Sequence, residues 1–288
     1  MDAVLLACTS AFLFGAMTVA LRFALQRNAD AELGALLTVV PALAVALAFV
    51  VVDVARHGVP ELAGVWPFLA AGVLGPGLSQ LFFTLAVRDA GPSRASVVVG
   101  TAPLFAVAIA LVFLGEPLEV GLVAGALLVV GGGVLLAGEC GRPEHVKLTG
   151  LALALLATVV FATRDNLVRW LSGDTEVAPS LAAAATLSAG GLVILGWLLV
   201  SRRPFRVPLA GLGAFVPAGL LFGLSYVCLF EAFYRGRVSV VSPIVATESL
   251  WGVGLSALLL RRHELVGVRL ALGACLIVAG GALIGVFR

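Results

Sequence analysis

The chain repeats itself once along its length, with a shift of about 146 positions. The segment 84–105 aligns with 230–251, and Phe14-Gly15-Ala16 aligns with Phe161-Ala162-Thr163. If each copy holds an odd number of membrane-spanning helices, the second copy enters the membrane from the opposite face. Two such copies lie upside down relative to each other and enclose a shared midplane. This repeat constrains the fold more than any single residue does.

The composition indicates a membrane protein with many spans. Of the 288 residues, 61% are hydrophobic and only 12% are charged. A soluble domain of this length needs far more charge to cover its surface. The 34 glycines are spread through the apolar runs, which fits helices packed closely in lipid. The first apolar stretch lacks a basic leader, so we expect it to be a retained helix.

Several classes of site and partner are disfavoured by the sequence. A net charge of +2 gives no basic patch for a nucleic acid. The three histidines lie in predicted loops without metal-ligand spacing, and the cysteines lie mostly in apolar runs, where they serve as small packing residues. No phosphate-binding loop is present. We therefore expect no metal, no cofactor and no nucleic-acid partner, but a lipid bilayer around the protein.

Ten apolar stretches are each long enough to cross a hydrocarbon core of about 30 Å. In the first half they run near 3–23, 33–53, 63–87, 94–114 and 119–138. In the second half they run near 148–171, 178–200, 210–234, 238–260 and 265–287. The polar break at 139–145 separates two predicted domains, 1–143 and 144–288. The predicted fold is an all-α polytopic membrane protein with ten transmembrane helices, arranged as two inverted five-helix repeats.

Short motifs recur at matching places in the two halves. The first half has Ala95-Ser96-Val97, then Pro103, then the turn Leu114-Gly115-Glu116-Pro117. The second half has Val-Ser-Val-Val-Ser-Pro at 238–243 and then Glu264. Together with the length and the repeat, this pattern resembles the EamA family of the drug/metabolite transporter superfamily.

Two positions depart from that family pattern. Ser249 stands where a proline would match Pro103, and Arg262-His263-Glu264 replaces the second glycine-glutamate turn. The resemblance still covers essentially the whole chain.

The resemblance implies a function for the whole chain. It implies a secondary active transporter, and not an enzyme, that exports or exchanges small metabolites such as amino acids or drugs. The expected location is the cell membrane, in a prokaryote the inner membrane. Since the two halves enclose a midplane cavity, alternating access follows as the expected mechanism.

Glu248 is the strongest candidate for a functional side chain. It lies eleven residues after Arg237, which places it about 16 Å deep and close to the membrane midplane. A carboxyl group there costs about 2.5–3.5 kcal/mol on insertion scales, so it normally faces a cavity or a partner. It could exchange a proton, bind a cationic group, or serve as a structural carboxylate bonded to a neighbouring helix.

Arg164, Asp165 and Glu231 form a second candidate group. The sixth and eighth predicted spans end on the same side, so Arg164 and Glu231 can meet at similar depth. Such a pair is either a gate that breaks when that side opens or a static brace.

Further polar and aromatic residues could line a binding site. They offer hydrogen-bond donors and ring faces, although each could equally hold helices together. They are Gln80, Thr84, Tyr226 and Trp251. Pro103 and Pro243 lie inside spans, where a kink either borders a cavity or is a packing bend.

Three small-residue motifs permit close helix contact, at 121–125, 219–223 and 281–285. A homodimer is one interpretation, and tight packing inside the bundle is the favoured one.

Three alternative functions remain at this point. A lipid-carrier flippase of the same fold differs only in its substrate. An integral-membrane lipid enzyme needs a reactive cluster at a membrane face, whereas the histidines here are scattered. A passive channel needs a ring of repeated polar residues, but the two halves differ at the matching positions Ala102 and Glu248.

Overall fold

The computed structural model describes residues 2–286 except 59, 61, 63, 103, 106–107, 109–119, 138–146, 173–174, 202–212, 237–240, 242–243 and 261–266. The described residues form helices and connecting turns, with no β-strand among them. In the first half the helices are α1 (Ala3–Arg27), α2 (Ala31–His57), α3 (Trp66–Gly72), α4 (Ser79–Ala90), α5 (Pro92–Val99) and α6 (Val120–Ala137). In the second half they are α7 (Leu148–Ser172), α8 (Pro179–Val200), α9 (Val216–Arg235), α10 (Glu248–Leu259) and α11 (Val268–Val286), with a short 3₁₀ turn at Gly213–Phe215 before α9.

Six segments of the described chain are long and apolar enough to cross a membrane, three in each half. They coincide with the first three predicted spans of each repeat. Shorter apolar helices lie in the predicted fifth, ninth and tenth spans. The protein is thus an all-helical, multi-pass membrane protein, while the number of ten spans stays a prediction because the fourth lies partly outside the described residues.

Helices α6 and α11 show how the two halves are related. A Cβ atom added to Gly125 would lie 2.8 Å from the carbonyl oxygen of Gly280, and one added to Gly132 would lie 2.6 Å from that of Gly273. Gly273 lies 148 positions beyond Gly125, and Gly280 lies 148 positions beyond Gly132, so these glycines are matched by the repeat. The contact of Gly125 with Gly280 is therefore the repeat copy of the contact of Gly132 with Gly273. A two-fold axis relates contacts in this way, and the matched helices run antiparallel.

Helix pairing throughout the bundle follows the same symmetry. Helices α2, α5 and α6 each pack against their own repeat mates, α8, α10 and α11. Helix α1 packs against α9, and α4 packs against α7, which is the same contact seen from the other repeat. Gly219 and Gly223 lie against the backbone of α2 within this chain, as the favoured interpretation of their motif requires.

The third apolar segment is broken where it passes through the bundle. A π-helical stretch, Val73–Leu78, joins α3 to α4, and Gly75 inside it has non-helical angles of φ −140° and ψ 121°. Pro76 has no backbone N–H to donate, so the break is a local consequence of the sequence. The kinks predicted at Pro103 and Pro243 lie outside the described residues. The break at Gly75 was not predicted, although Gly75-Pro76-Gly77 is a helix-breaking sequence.

Candidate functional site

A cavity of about 50 Å³ lies between the two repeats. Such a space holds a few water molecules, whereas pockets for small ligands usually measure about 300–1,000 Å³. Its walls come from α1, α7, α9, α10 and the turn after α5: Ser10, Phe14, Val99, Ala102, Phe161, Arg164, Asp165, Phe222, Ser225, Tyr226, Leu229, Phe233, Val245, Ala246 and Glu248.

The cavity walls obey the repeat. Three pairs of matched residues line it, namely Phe14 with Phe161, Val99 with Val245, and Ala102 with Glu248. The rings of the first pair meet edge to face, with centroids 6.1 Å apart. The pseudo-two-fold axis therefore runs close to this cavity, and the difference between the third pair makes it chemically asymmetric.

Matching turns place that third pair in the cavity. Regular α-helical hydrogen bonding gives way to a tighter turn at 100–101 in the first repeat and at 246–247 in the second. The hydroxyl of Thr101 donates to the carbonyl of Val98 at 2.6 Å, and that of Thr247 donates to Ile244 at 2.6 Å. Threonine thus caps both turns in the same way, and Glu248 opens the helix that follows.

Glu248 is the first residue of α10 and is 7% exposed. Its carboxylate forms no hydrogen bond or ion pair within the described part of the chain, although the charges of Arg164 and Asp165 act on it. A helix N-terminus favours a negative charge, but it does not replace a bonded partner. The carboxylate is therefore the cavity's uncompensated charge.

Arg164 is 3% exposed and is held between aromatic rings. Its guanidinium carbon lies 5.0 Å from the ring centre of Tyr226 and 5.6 Å from that of Phe161. Its Nε is 3.0 Å from Oδ1 of Asp165, close enough for an ion pair. The same nitrogen and Nη1 nevertheless make no hydrogen bond, because side chains of adjacent helical residues diverge and the angle is poor. The contact is therefore an ion pair without a hydrogen bond.

Tyr226 connects this arginine to the broken third span. Its hydroxyl donates to the carbonyl oxygen of Gly75 at 2.9 Å. A Cβ atom at Gly75 would lie 3.1 Å from Cγ of Arg164, so glycine makes room for the arginine stem. The break supplies both an acceptor and space, as irregular backbone at membrane depth does when it lines a cavity.

The predicted contact between Arg164 and Glu231 is wrong. Glu231 instead pairs with Arg235 one turn further along α9, with Oε2 and Nη2 2.6 Å apart. Glu231 follows Tyr226 by five residues, about 7.5 Å along the axis and about 140° around it. It therefore points away from the ring that covers Arg164, and it lines a separate groove near the end of α2.

Three residues predicted to bind substrate do not line the cavity. Gln80 and Thr84 are fully buried in α4, where the Thr84 hydroxyl donates to the carbonyl of Gln80 at 2.8 Å. Trp251 is 44% exposed and packs edge to face on Phe12, with ring centroids 5.1 Å apart. Of that predicted set, only Tyr226 lines the cavity.

Ser10 and Ser225 were missed by the sequence analysis. Each hydroxyl donates to the carbonyl of the other residue, at 3.0 and 2.9 Å, which joins α1 to α9 at the cavity wall. Isolated serines in apolar runs carry no distinctive signal. The aromatic wall could have been found, because Phe14 and Phe161 are matched by the repeat.

The cavity lies nearer one end of the bundle. We call the end at which α1 begins the first face and the opposite end the second face. The lining residues Ser10 and Phe14 lie 7 and 11 positions into α1, on the half near the first face. At the second face, a group around Asp89 ties α1, α4 and α7 together.

That second-face closure is centred on one carboxylate. Asp89 accepts from Arg88 Nε at 2.8 Å and Nη2 at 3.0 Å, and Lys147 Nζ is 3.7 Å away. The Lys147 N–H donates to the carbonyl of Asp89 at 2.8 Å, and Arg22 donates to that of Arg88 at 2.8 Å. A bonded junction thus lies at the second face, the end of the bundle farther from the cavity lining.

A family model matches each half of the chain separately. The model of the EamA-like transporter family covers residues 1–138 and again 148–286. The chain belongs to the EamA-like transporter family. The resemblance inferred from the repeat and its motifs is confirmed, as is a membrane transporter of the drug/metabolite type.

Among solved structures, one crystal structure aligns over 98% of this chain and 95% of its own, with a TM-score of 0.69 and 24% sequence identity. That likeness extends the shared fold to almost the full length of both chains. A search of curated proteins found no match.

Proposed function

We propose that this EamA-family protein is a secondary active transporter that moves a small metabolite across the cell membrane by alternating access. The observation that carries the proposal is the cavity between the repeats, which holds the carboxylate of Glu248 without a bonded partner among the residues that the structure describes. Sites at the repeat interface, bordered by broken helices, are typical of such transporters. In a prokaryote, the proposed location is the inner membrane.

The symmetry of the bundle supports this mechanism. The α1–α9 and α4–α7 contacts are copies of one contact in opposite orientations. A conformation that opens one end can therefore be converted into one that opens the other by exchanging the roles of the repeats. The cavity must widen during this cycle, because about 50 Å³ is too small for a metabolite.

Coupling to an ion gradient is assigned to Glu248. Burying an isolated charge is costly, so the carboxylate is stabilised when it holds a proton or a cationic group. If the carboxylate exchanges a proton for a cationic group at each face, substrate movement is linked to a proton gradient. Arg164 and Asp165 act as the brace beside this group, since they pair with each other and rings cover the guanidinium.

The test is transport in liposomes with a defined gradient, after a ligand has been found by thermal stabilisation. The panel comprises amino acids, cationic drugs, nucleosides and sugar phosphates, because a ligand that binds only the folded state raises the melting temperature. Glu248→Gln should abolish gradient-driven flux and leave the melting temperature of the empty protein within a few degrees. Glu176→Gln, at an exposed glutamate between α7 and α8, is the matched control.

Wild-type flux in Glu248→Gln would refute the coupling role. If no panel member stabilises the protein and labelled lipids move between leaflets in its presence, the transporter proposal gives way to the flippase.

A further inference from the structure

The charges around the cavity do not cancel. Arg164 and Asp165 form an ion pair at 3.0 Å, so they neutralise each other. Glu248 has no such partner among the described residues, so in its ionised form it leaves one net negative charge in a largely apolar space. A charge buried in this way is stabilised by a cation that completes the pair.

The positive charge beside the cavity already has partners. Nε and Nη1 of Arg164 are sealed from solvent, and the guanidinium is covered by the rings of Tyr226 and Phe161. An anion would have to displace both Asp165 and these rings to reach it. Glu248 is also buried, but no bonded partner among the described residues has to be displaced from its carboxylate.

Apart from Ser10 and Ser225, whose hydroxyls bond to each other's carbonyls, the remaining walls are aromatic and aliphatic. Phe14 packs with Phe161 and with Phe222, with ring centroids 6.1 and 6.3 Å apart. Across the axis from Glu248, the wall offers the small apolar side chains of Val99 and Ala102. Ring faces attract cations, and apolar walls favour substituents that shed water.

We infer that the cavity selects organic cations that carry apolar or aromatic groups, with the charged centre at Glu248 and the apolar end against the first repeat. This inference rests on the proposed function, because it names the substrate class of the same cavity. A small inorganic cation would leave the apolar wall without a role, and an anion would leave Glu248 uncompensated.

The experiment compares probes of similar shape and different charge. Purified protein in lipid nanodiscs is titrated with phenyltrimethylammonium, with its neutral isostere tert-butylbenzene and with benzenesulfonate, and the melting temperature and dissociation constant are measured. Phenyltrimethylammonium should stabilise the protein and bind at least about tenfold more tightly than either other probe. Phenyltrimethylammonium has no N–H, so it meets the carboxylate by charge attraction alone, and Glu248→Gln should weaken its binding at least about tenfold. Glu176→Gln should leave it unchanged.

Three results would overturn the inference. Preferential binding of benzenesulfonate that is lost in Arg164→Gln would assign the cavity to anions. Absence of stabilisation by phenyltrimethylammonium, or binding that survives in Glu248→Gln, would also reject the cation class. In each case the liposome assay with the wider metabolite panel still decides whether the protein is a transporter, so the two failures can be told apart. If Glu248→Gln has the melting temperature of the wild-type protein in the absence of ligand, it is folded, and its loss of binding is not due to unfolding.

Discussion

Tyr226 acts on its surroundings through two separate parts of one side chain. Its ring covers the guanidinium of Arg164 at 5.0 Å, and its hydroxyl holds the carbonyl of Gly75 at 2.9 Å. The first contact stabilises a buried charge, and the second fixes the broken third span against α9. Substitutions can separate these contributions.

Tyr226→Phe should keep the ring and lose only the hydrogen bond. An unpaired buried carbonyl costs about 1 kcal/mol, so we expect the melting temperature to fall by a few degrees. Tyr226→Leu also removes the cation–π contact and should lower stability further, by about 0.5–2 kcal/mol. Thermal unfolding in nanodiscs measures both variants. Equal losses in the two would show that the ring contributes nothing.

Charged residues inside spans were the predictable part of the site. A charge in an apolar run is so costly that it must face a cavity or a partner, whatever the fold around it. That reasoning singled out Glu248, Arg164 and Asp165, which line the cavity, and also Glu231, which lies in a separate groove. Gln80 and Thr84 were chosen as neutral polar residues and do not line the cavity, and the Thr84 hydroxyl is satisfied within its own helix.

At the scale of helices, α6 and α11 form a close-packed support remote from the cavity lining. They meet where glycines lie against opposing carbonyls, and none of the described cavity residues belongs to either helix. Both helices carry few polar side chains, which suits a supporting pair. The break at Gly75 was not predicted, because a Gly-Pro-Gly sequence indicates irregular backbone without showing which helix will use the freed carbonyl.

Two adjacent glycines of α6 provide a matched test of this packing. A Cβ at Gly132 would lie 2.6 Å from the carbonyl of Gly273, whereas a Cβ at Gly131 meets nothing within 4 Å. Gly132→Ala should therefore destabilise the protein by about 1–3 kcal/mol, the usual cost of overpacking. Gly131→Ala should be neutral or slightly stabilising, because alanine is the better helix former. Thermal unfolding of the two variants side by side checks this, and equal melting temperatures would contradict it.

At the scale of the molecule, the repeat determines where the cavity lies. A shift of about 146 positions, visible in the sequence, matches Phe14 with Phe161 and Ala102 with Glu248, and these residues meet around one axis. The shift alone could not show the bonded junction at the second face. That junction depends on Asp89 and on a backbone hydrogen bond from Lys147, which no pattern in the sequence predicts.

The second-face closure should govern the balance between the two orientations of the transporter. Asp89→Asn removes the charge that Arg88 and Lys147 share, while the fold around the cavity is unchanged. A partly exposed pair of this kind is worth about 1 kcal/mol or less, which corresponds to a change of up to about fivefold in an equilibrium. Opening toward the second face should become more frequent by that factor.

The readout is a single cysteine at Ala102, in a variant whose four native cysteines are replaced by serine. A membrane-impermeant thiol reagent is applied from one side of oriented vesicles at a time. Asp89→Asn should raise the rate of labelling from the second face, because only that closure is weakened, and lower or maintain the rate from the first. Asp2→Asn, at the exposed start of α1, should change neither rate. If Asp89→Asn leaves labelling from the second face at its original rate, the bonded junction is a static brace, and some other contact must limit access to Glu248 from that side.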